Sequence, residues 1–222
     1  MSRNSTQQVC SNGLAAAVLL CAAAFQCPAA EKQLVLLYNA AQLPPEVMTQ
    51  AQDQATRILR EAGIELRWID CSTPLERSPG MANCGAHFSE HPLILQVAGS
   101  AGRFPDQRAL GYAALGPDGG SSGFVYFDRV EQFVASKKPP CSVSQLLGHA
   151  IAHEMGHLLL SLAGHNPKGI MIGGWSLREL EQAADGALLF TPYEAGKMRK
   201  EVKRRAAAAE RGRRLADTLA SR

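Results

Sequence analysis

SVSQLLGHAIAHEMGHLLLSLAGHNPKGIM, Ser142 to Met171, is the stretch on which the reading of the chain turns. Leu146, Leu147, Ile151, Leu158, Leu159, Leu160 and Leu162 make it apolar nearly all round, the pattern of a helix buried at the centre of a domain. Ser142 or Ser144 can cap its start. Inside it, His153 and His157 stand four apart and so share one helix face, where two imidazoles can reach one ion. Zinc takes neutral nitrogen ligands in a tetrahedral arrangement, and a catalytic site keeps one position open for water. Glu154 is rotated off the ligand stripe, which sets its carboxylate beside that open position. Burying His149, His153, Glu154 and His157 in an apolar helix without partners would be costly. A reversal signal, Gly164, and a further histidine, His165, follow at once.

Upstream, Leu34 to Tyr38 reads as a strand, and Pro44-Pro45 opens a helix. The buried stripe of that helix is Val47, Met48, Ala51, Ala55, Ile58, Leu59 and Ala62, and Gly63 stops it. Ile64 to Ile69 is a second strand, and this strand, helix, strand run is the length of a parallel crossover. The turn-rich segment from Cys71 to Glu90 leads to a third strand, Pro92 to Val97. His87 in that segment and His91 just after it read as surface residues. Ala109 to Leu115 and Gly123 to Phe127 are a fourth and a fifth strand, separated by a flexible loop, Gly116 to Ser122. Asp128 to Ala135 reads as a short helix. Trp175 reads as core, Ser176 caps a helix that buries Leu177, Leu180, Ala183, Ala184 and Ala187, and Thr191-Pro192 starts the last helix.

At 222 residues and 46% hydrophobic composition, the chain is sized for one globular domain. Residues 1–30 read as a secretory signal peptide: Arg3, an apolar run from Leu14 to Phe25, then Pro28-Ala29-Ala30 before Glu31. The run is short for a membrane span, which leaves an expectation of export to a bacterial periplasm or medium without stable membrane insertion. Cys71, Cys84 and Cys141 lie beyond it. Cys71 and Cys84 flank a Pro/Gly/Ser loop and are the expected disulfide, a closure worth about 3 kcal/mol, with Cys141 left over. The net charge of +3 conceals a division: residues 195–222 hold ten Lys/Arg against three Asp/Glu, and residues 31–194 sum to −5. A basic tail, 201–222, is therefore expected as a solvated helix or disordered end. Nothing else in the chain points to nucleic acid, and the oligomeric state is not legible.

On these residues the chain resembles the metzincin clan of zinc endopeptidases, and the matrixins in particular. The resemblance covers most of residues 31–200 and implies an α+β zincin-like catalytic domain. Such a domain has a twisted, mostly parallel five-stranded sheet with one antiparallel edge strand, a central HExxH helix and C-terminal helices. Ala109-Leu110-Gly111-Tyr112-Ala113 and Gly123-Phe124-Val125-Tyr126-Phe127-Asp128 look like the matrixin edge strand and its neighbour. His165-Asn166-Pro167-Lys168-Gly169-Ile170-Met171 looks like the third zinc ligand and the methionine turn beneath the metal, and the whole form is similar to secreted bacterial proteins of this type. Three departures stand out. The third histidine comes two residues later than in HExxHxxGxxH, Leu160 holds the glycine position, and the turn glycine is displaced to Gly164, so the helix is expected to run longer. Tyr112 and Tyr126 replace histidines of a structural zinc site, so no second zinc is implied. Asp128 and Glu131 match an acidic pair that binds calcium in matrixins, against the plainer reading of two exposed carboxylates at a helix start. Glu181-Gln182-Ala183-Ala184-Asp185 resembles the ExxxD of gluzincins and makes Glu181 a rival third ligand. His149 is a weaker rival, since three histidines on one straight helix cannot close around one ion.

The reading that follows is zinc-dependent hydrolysis of a peptide or protein substrate: His153, His157 and His165 hold zinc, and Glu154 is the general base. Tyr112 or Tyr193 can supply an oxyanion donor, and an extended substrate can add to the strand at Ala109–Leu115. The alternative from another class is a secreted zincin-fold binding protein with structural or vestigial zinc; a third is metal-dependent hydrolysis of a non-peptide bond.

Overall fold

The computed structural model describes residues 30–72, 84, 91–100, 108–116 and 119–221. The expected signal peptide, His87 and most of the Cys71–Glu90 segment lie outside these residues.

β1 (Glu31–Asn39), α1 (Pro45–Glu61) and β2 (Ile64–Asp70) form the expected crossover, with β1 and β2 parallel and in register from Glu31 opposite Ile64. β3 (Leu93–Ala98) pairs with the other side of β1, and β5 (Gly119–Tyr126) lies parallel beyond it. β4 (Gly111–Gly116) runs antiparallel to β5, so the sheet reads β2-β1-β3-β5-β4 with β4 at the edge. β1 lies between β2 and β3 and is buried on both faces from Gln33 to Leu37, which is why its Leu34–Leu37 stretch is continuously apolar. The odd-numbered positions Val35, Leu37, Leu93, Leu95, Val97 and Val125 form the main core with α1 and with α3 (Val143–Leu160). Leu34 and Leu36 face the other way and pack with Cys71, which forms the expected disulfide to Cys84 with 5.7 Å between Cα atoms. Cys141 is a buried free thiol.

α3 is the central element. Every residue from Leu146 to Leu159 is buried, and Ser142 closes a reciprocal capping box with Gln145. Gly148 makes room for α1: a Cβ there would stand 2.6 Å from the Ala51 carbonyl oxygen. α2 (Phe127–Lys137) and α4 (Leu177–Ala184) are short, and α5 (Pro192–Ala220) is one 29-residue helix. It passes residue 200 without a break and buries Val202, Arg205 and Ala209 beyond it.

Two expectations are corrected. Of the expected flexible loop Gly116–Ser122, five residues are strand: Gly116 ends β4, and Gly119 to Ser122 belong to β5. Glycine and serine carry no strand signal, but backbone pairing with β4 extends the ladder through them, with a register shift at Ala114/Leu115. The reversal after α3 does not use Gly164. The helix stops at Leu160, and Ser161 takes the left-handed conformation at φ 49°. Gly164 is not among the glycines with positive φ, so nothing in its backbone requires glycine.

Candidate metal centre

α3 presents His153 and His157 on one face, and the segment between α3 and α4 brings His165 back to them. One ligand nitrogen from each of the three lies within 4.8 Å of the others, with ring centroids 4.8 to 5.2 Å apart. His153 and His157 are buried and His165 is exposed. Among the described residues no other group of three His, Cys, Asp or Glu side chains is placed to hold an ion.

The hydrogen bonds fix the tautomers. His153 Nδ1 donates to the Ile170 carbonyl at 2.7 Å, and His157 Nδ1 donates to the Leu162 carbonyl at 2.6 Å. A carbonyl only accepts, so each Nδ1 carries the proton and each Nε2 presents a lone pair. Those two Nε2 atoms face each other at 3.1 Å. Two lone pairs at that distance repel unless a cation lies between them, and the edge of a tetrahedral zinc site is about 3.4 Å. Burial pushes His153 down to about 3 and lowers His157, which keeps both rings in the neutral, ligating form. The donor set therefore fits zinc.

The segment that carries His165 is held at several points. Trp175 Nε1 donates to the same Ile170 carbonyl that orients His153, at 3.2 Å, and its indole stands edge-on to the His153 ring. The Ile170 N–H pairs with Leu189, and Asn166 N–H with the Met171 carbonyl. Met171 is fully buried, and a Cβ on Gly156 would come within 2.5 Å of its sulfur, so it packs directly against the ligand helix.

Glu154 is buried and lies toward the sheet edge. A Cβ on Gly111 would stand 2.5 Å from Glu154 Oε1, and one on Gly123 would touch its Cβ at 3.5 Å, so two strand glycines make room for this carboxylate. Burial pushes Glu154 up to about 8 in the metal-free protein, and a cation held beside it acts the other way, favouring the ionised carboxylate. Tyr126, next to it electrostatically, is raised by burial against the opposing pull of Arg129, whose guanidinium lies over its ring at 5.0 Å.

The rival ligands are placed elsewhere. Glu181 and Asp185 are exposed, outside the histidine group, and it is Glu179 of the same helix that is buried, as the capping partner of Ser176. His149 is fully buried one turn before His153 and outside the ligand group, with Nδ1 donating to the Gln145 carbonyl at 2.8 Å and Gln54 beside it. The calcium expectation gains no support: Asp128 accepts the Arg129 N–H at 2.8 Å and Glu131 is exposed, outside any ligand group found. Tyr112 and Tyr193 are 46% and 71% exposed, and Lys197 covers the Tyr193 ring. Sequence reading missed the roles of Gly111, Trp175, Asn166 and Glu194. For Glu194 a signal existed, since Thr191-Pro-Tyr-Glu194 has the spacing of a capping box.

No family model matches the chain, and no curated protein is detectably similar to it in sequence. Among solved structures it is similar to archaemetzincin from Methanopyrus kandleri, at 13% identity over 81% of this chain and 99% of that chain, with a TM-score of 0.46.

Proposed function

We propose that this chain is an exported zinc-dependent endopeptidase of metzincin-like build, in which His153, His157 and His165 hold the ion and Glu154 is the general base. The observation that carries the reading is the pair of lone-pair nitrogens of His153 and His157 turned on each other at 3.1 Å, with a third imidazole alongside and a buried carboxylate on the next residue of the helix. Zinc, when bound, supplies Lewis acidity toward water and a scissile carbonyl. Glu154 then takes the proton of the attacking water on its carboxylate and returns it to the leaving amine. The two Nδ1–H donors to Leu162 and Ile170 keep both ligand rings in the required tautomer while this happens. Met171 packs beneath the ligands as the methionine-turn residue.

A peptide adds to β4, whose outer side ends the sheet, and passes Glu154 at Gly111. The Cys71–Cys84 disulfide supports an oxidising compartment outside the cytoplasm. Among the described residues no helix is long and apolar enough to cross a membrane.

The test is bound zinc and proteolysis measured together on the purified protein. One zinc per chain, chelator-sensitive cleavage of casein, and loss of the metal in His165→Ala are expected. Zinc uptake with no cleavage of casein or of a peptide library would refute the peptidase reading and leave a binding protein.

A further inference from the structure

His153 and His157 each have their second ring nitrogen pinned by a backbone carbonyl. The exposed His165 ring makes no hydrogen bond among the described residues, so its aim is set by the backbone on either side of it. On one side is Gly173, where a Cβ would stand 2.8 Å from His165 Cγ and Nδ1. On the other is Asn166. Its N–H closes the segment on the Met171 carbonyl at 2.9 Å, and its side-chain amide donates to Glu194 Oε1.

Glu194 is 2% exposed, a carboxylate taken almost wholly out of water. It is the third residue of α5, where it accepts the N–H and hydroxyl of Thr191 on Oε2 at 2.7 and 2.8 Å. An ordinary capping box needs only the bond to the cap residue's N–H and is satisfied at the surface. Here the second oxygen reaches across to the ligand segment instead. A buried carboxylate is held only while its acceptor sites are filled, so the cap and the ligand segment hold each other.

We propose that Asn166 and Glu194 are positioning residues for the third metal ligand, which makes the first turn of the C-terminal helix part of the metal centre. The proposal rests on the zinc reading of the three histidines. It also accounts for a third ligand that arrives two residues late on a segment without the usual glycine: lateral fixation by α5 takes over what a tight turn does elsewhere. The partner of a ligand's neighbour acts here as hydrogen-bond partners of ligands do generally, where their loss costs about 10- to 100-fold in metal affinity.

The experiment is zinc affinity by competition with a chromophoric chelator, on the full chain. It compares the parent, Asn166→Ala, His165→Ala as the floor, and the double swap Asn166→Asp/Glu194→Gln. The swap keeps the summed charge and restores the bond with donor and acceptor exchanged. Cobalt(II) absorption spectra report coordination geometry in the same four proteins, and melting of the metal-free forms reports folding. Asn166→Ala is expected to bind zinc about 10- to 100-fold more weakly than the parent, with the cobalt spectrum shifted toward that of His165→Ala. The swap is expected to recover most of both. Parent-like affinity and spectrum in Asn166→Ala would overturn the proposal, as would a folded swap variant no better than Asn166→Ala. A parent that takes up no zinc overturns the metal-centre reading and this one with it. A zinc-loaded parent beside an unaffected Asn166→Ala overturns the tether alone.

Discussion

A methyl group at position 111 has no space to occupy. It would stand 2.5 Å from Glu154 Oε1 and equally close to the Phe124 carbonyl, so either the carboxylate or the edge strand must shift. Since a displacement of about 1 Å can cost about 100-fold in rate, Gly111→Ala is expected to lower kcat/KM by about that factor while zinc content stays at the parental value. Metal analysis beside steady-state kinetics checks both halves. Glu154→Gln keeps the shape and removes the base; it is expected to lose about 10²- to 10⁴-fold in kcat with zinc retained, and parental activity in it would exclude Glu154 as the base. The placing of His153 and His157 side by side, with Glu154 buried next to them, was legible because a spacing of four puts two residues on one helix face. Gly111 was not, because a glycine in a strand pattern looks the same whether it marks a bulge, a bend or a neighbour's side chain.

At the level of elements, α3 was legible as a buried helix because its apolar residues fall nearly all round it, and α1 from its stripe ending at Gly63. The β4–β5 hairpin was read short, since Gly119 to Ser122 owe their strand conformation to pairing rather than to propensity. The end of α3 was misread for a related reason: a non-glycine residue at φ 49° is uncommon, so Ser161 gives no sequence signal of the left-handed cap it forms on the His157 carbonyl. The same helix carries an acid sensitivity outside the metal centre. Burial pushes His149 down to about 4 against the modest opposing effect of its bond to the Gln145 carbonyl, with Arg57 lowering it further. Below its ordinary value of 6.5 the unfolded chain takes up a proton that the folded one refuses until about pH 4. Stability is therefore full above about pH 6.5 and is lost as pH falls toward 4, by about 3 kcal/mol for this residue. Chemical denaturation across that window should show a shallower loss in His149→Gln than in the parent; equal slopes would mean that His149 titrates normally.

For the whole molecule, the sheet, the helical layer and the histidine group assemble from segments far apart in sequence, and zinc is expected to tie them. The parallel pairing of β1 with β2 followed from the crossover rule, the mostly parallel five-stranded sheet with its antiparallel edge from the resemblance, and the grouping of the late third histidine with the other two from its residue type. The bracing between α5 and the ligand segment did not follow, because nothing in a sequence says that a capping glutamate has a second partner. A metal held by α3 and by the segment that leads to α4 binds the folded chain and not the unfolded one. Free zinc at about 1,000 times its dissociation constant then adds about 4 kcal/mol. For a chain of this size about 1 kcal/mol corresponds to 2–4 °C, so a chelator should lower the melting temperature by about 10 °C and added zinc should restore it. The shift has to vanish in His165→Ala if the third ligand completes the site. If instead the metal stabilises that variant as well as the parent, two histidines of one helix suffice to bind it, and the returning segment has no part in the centre.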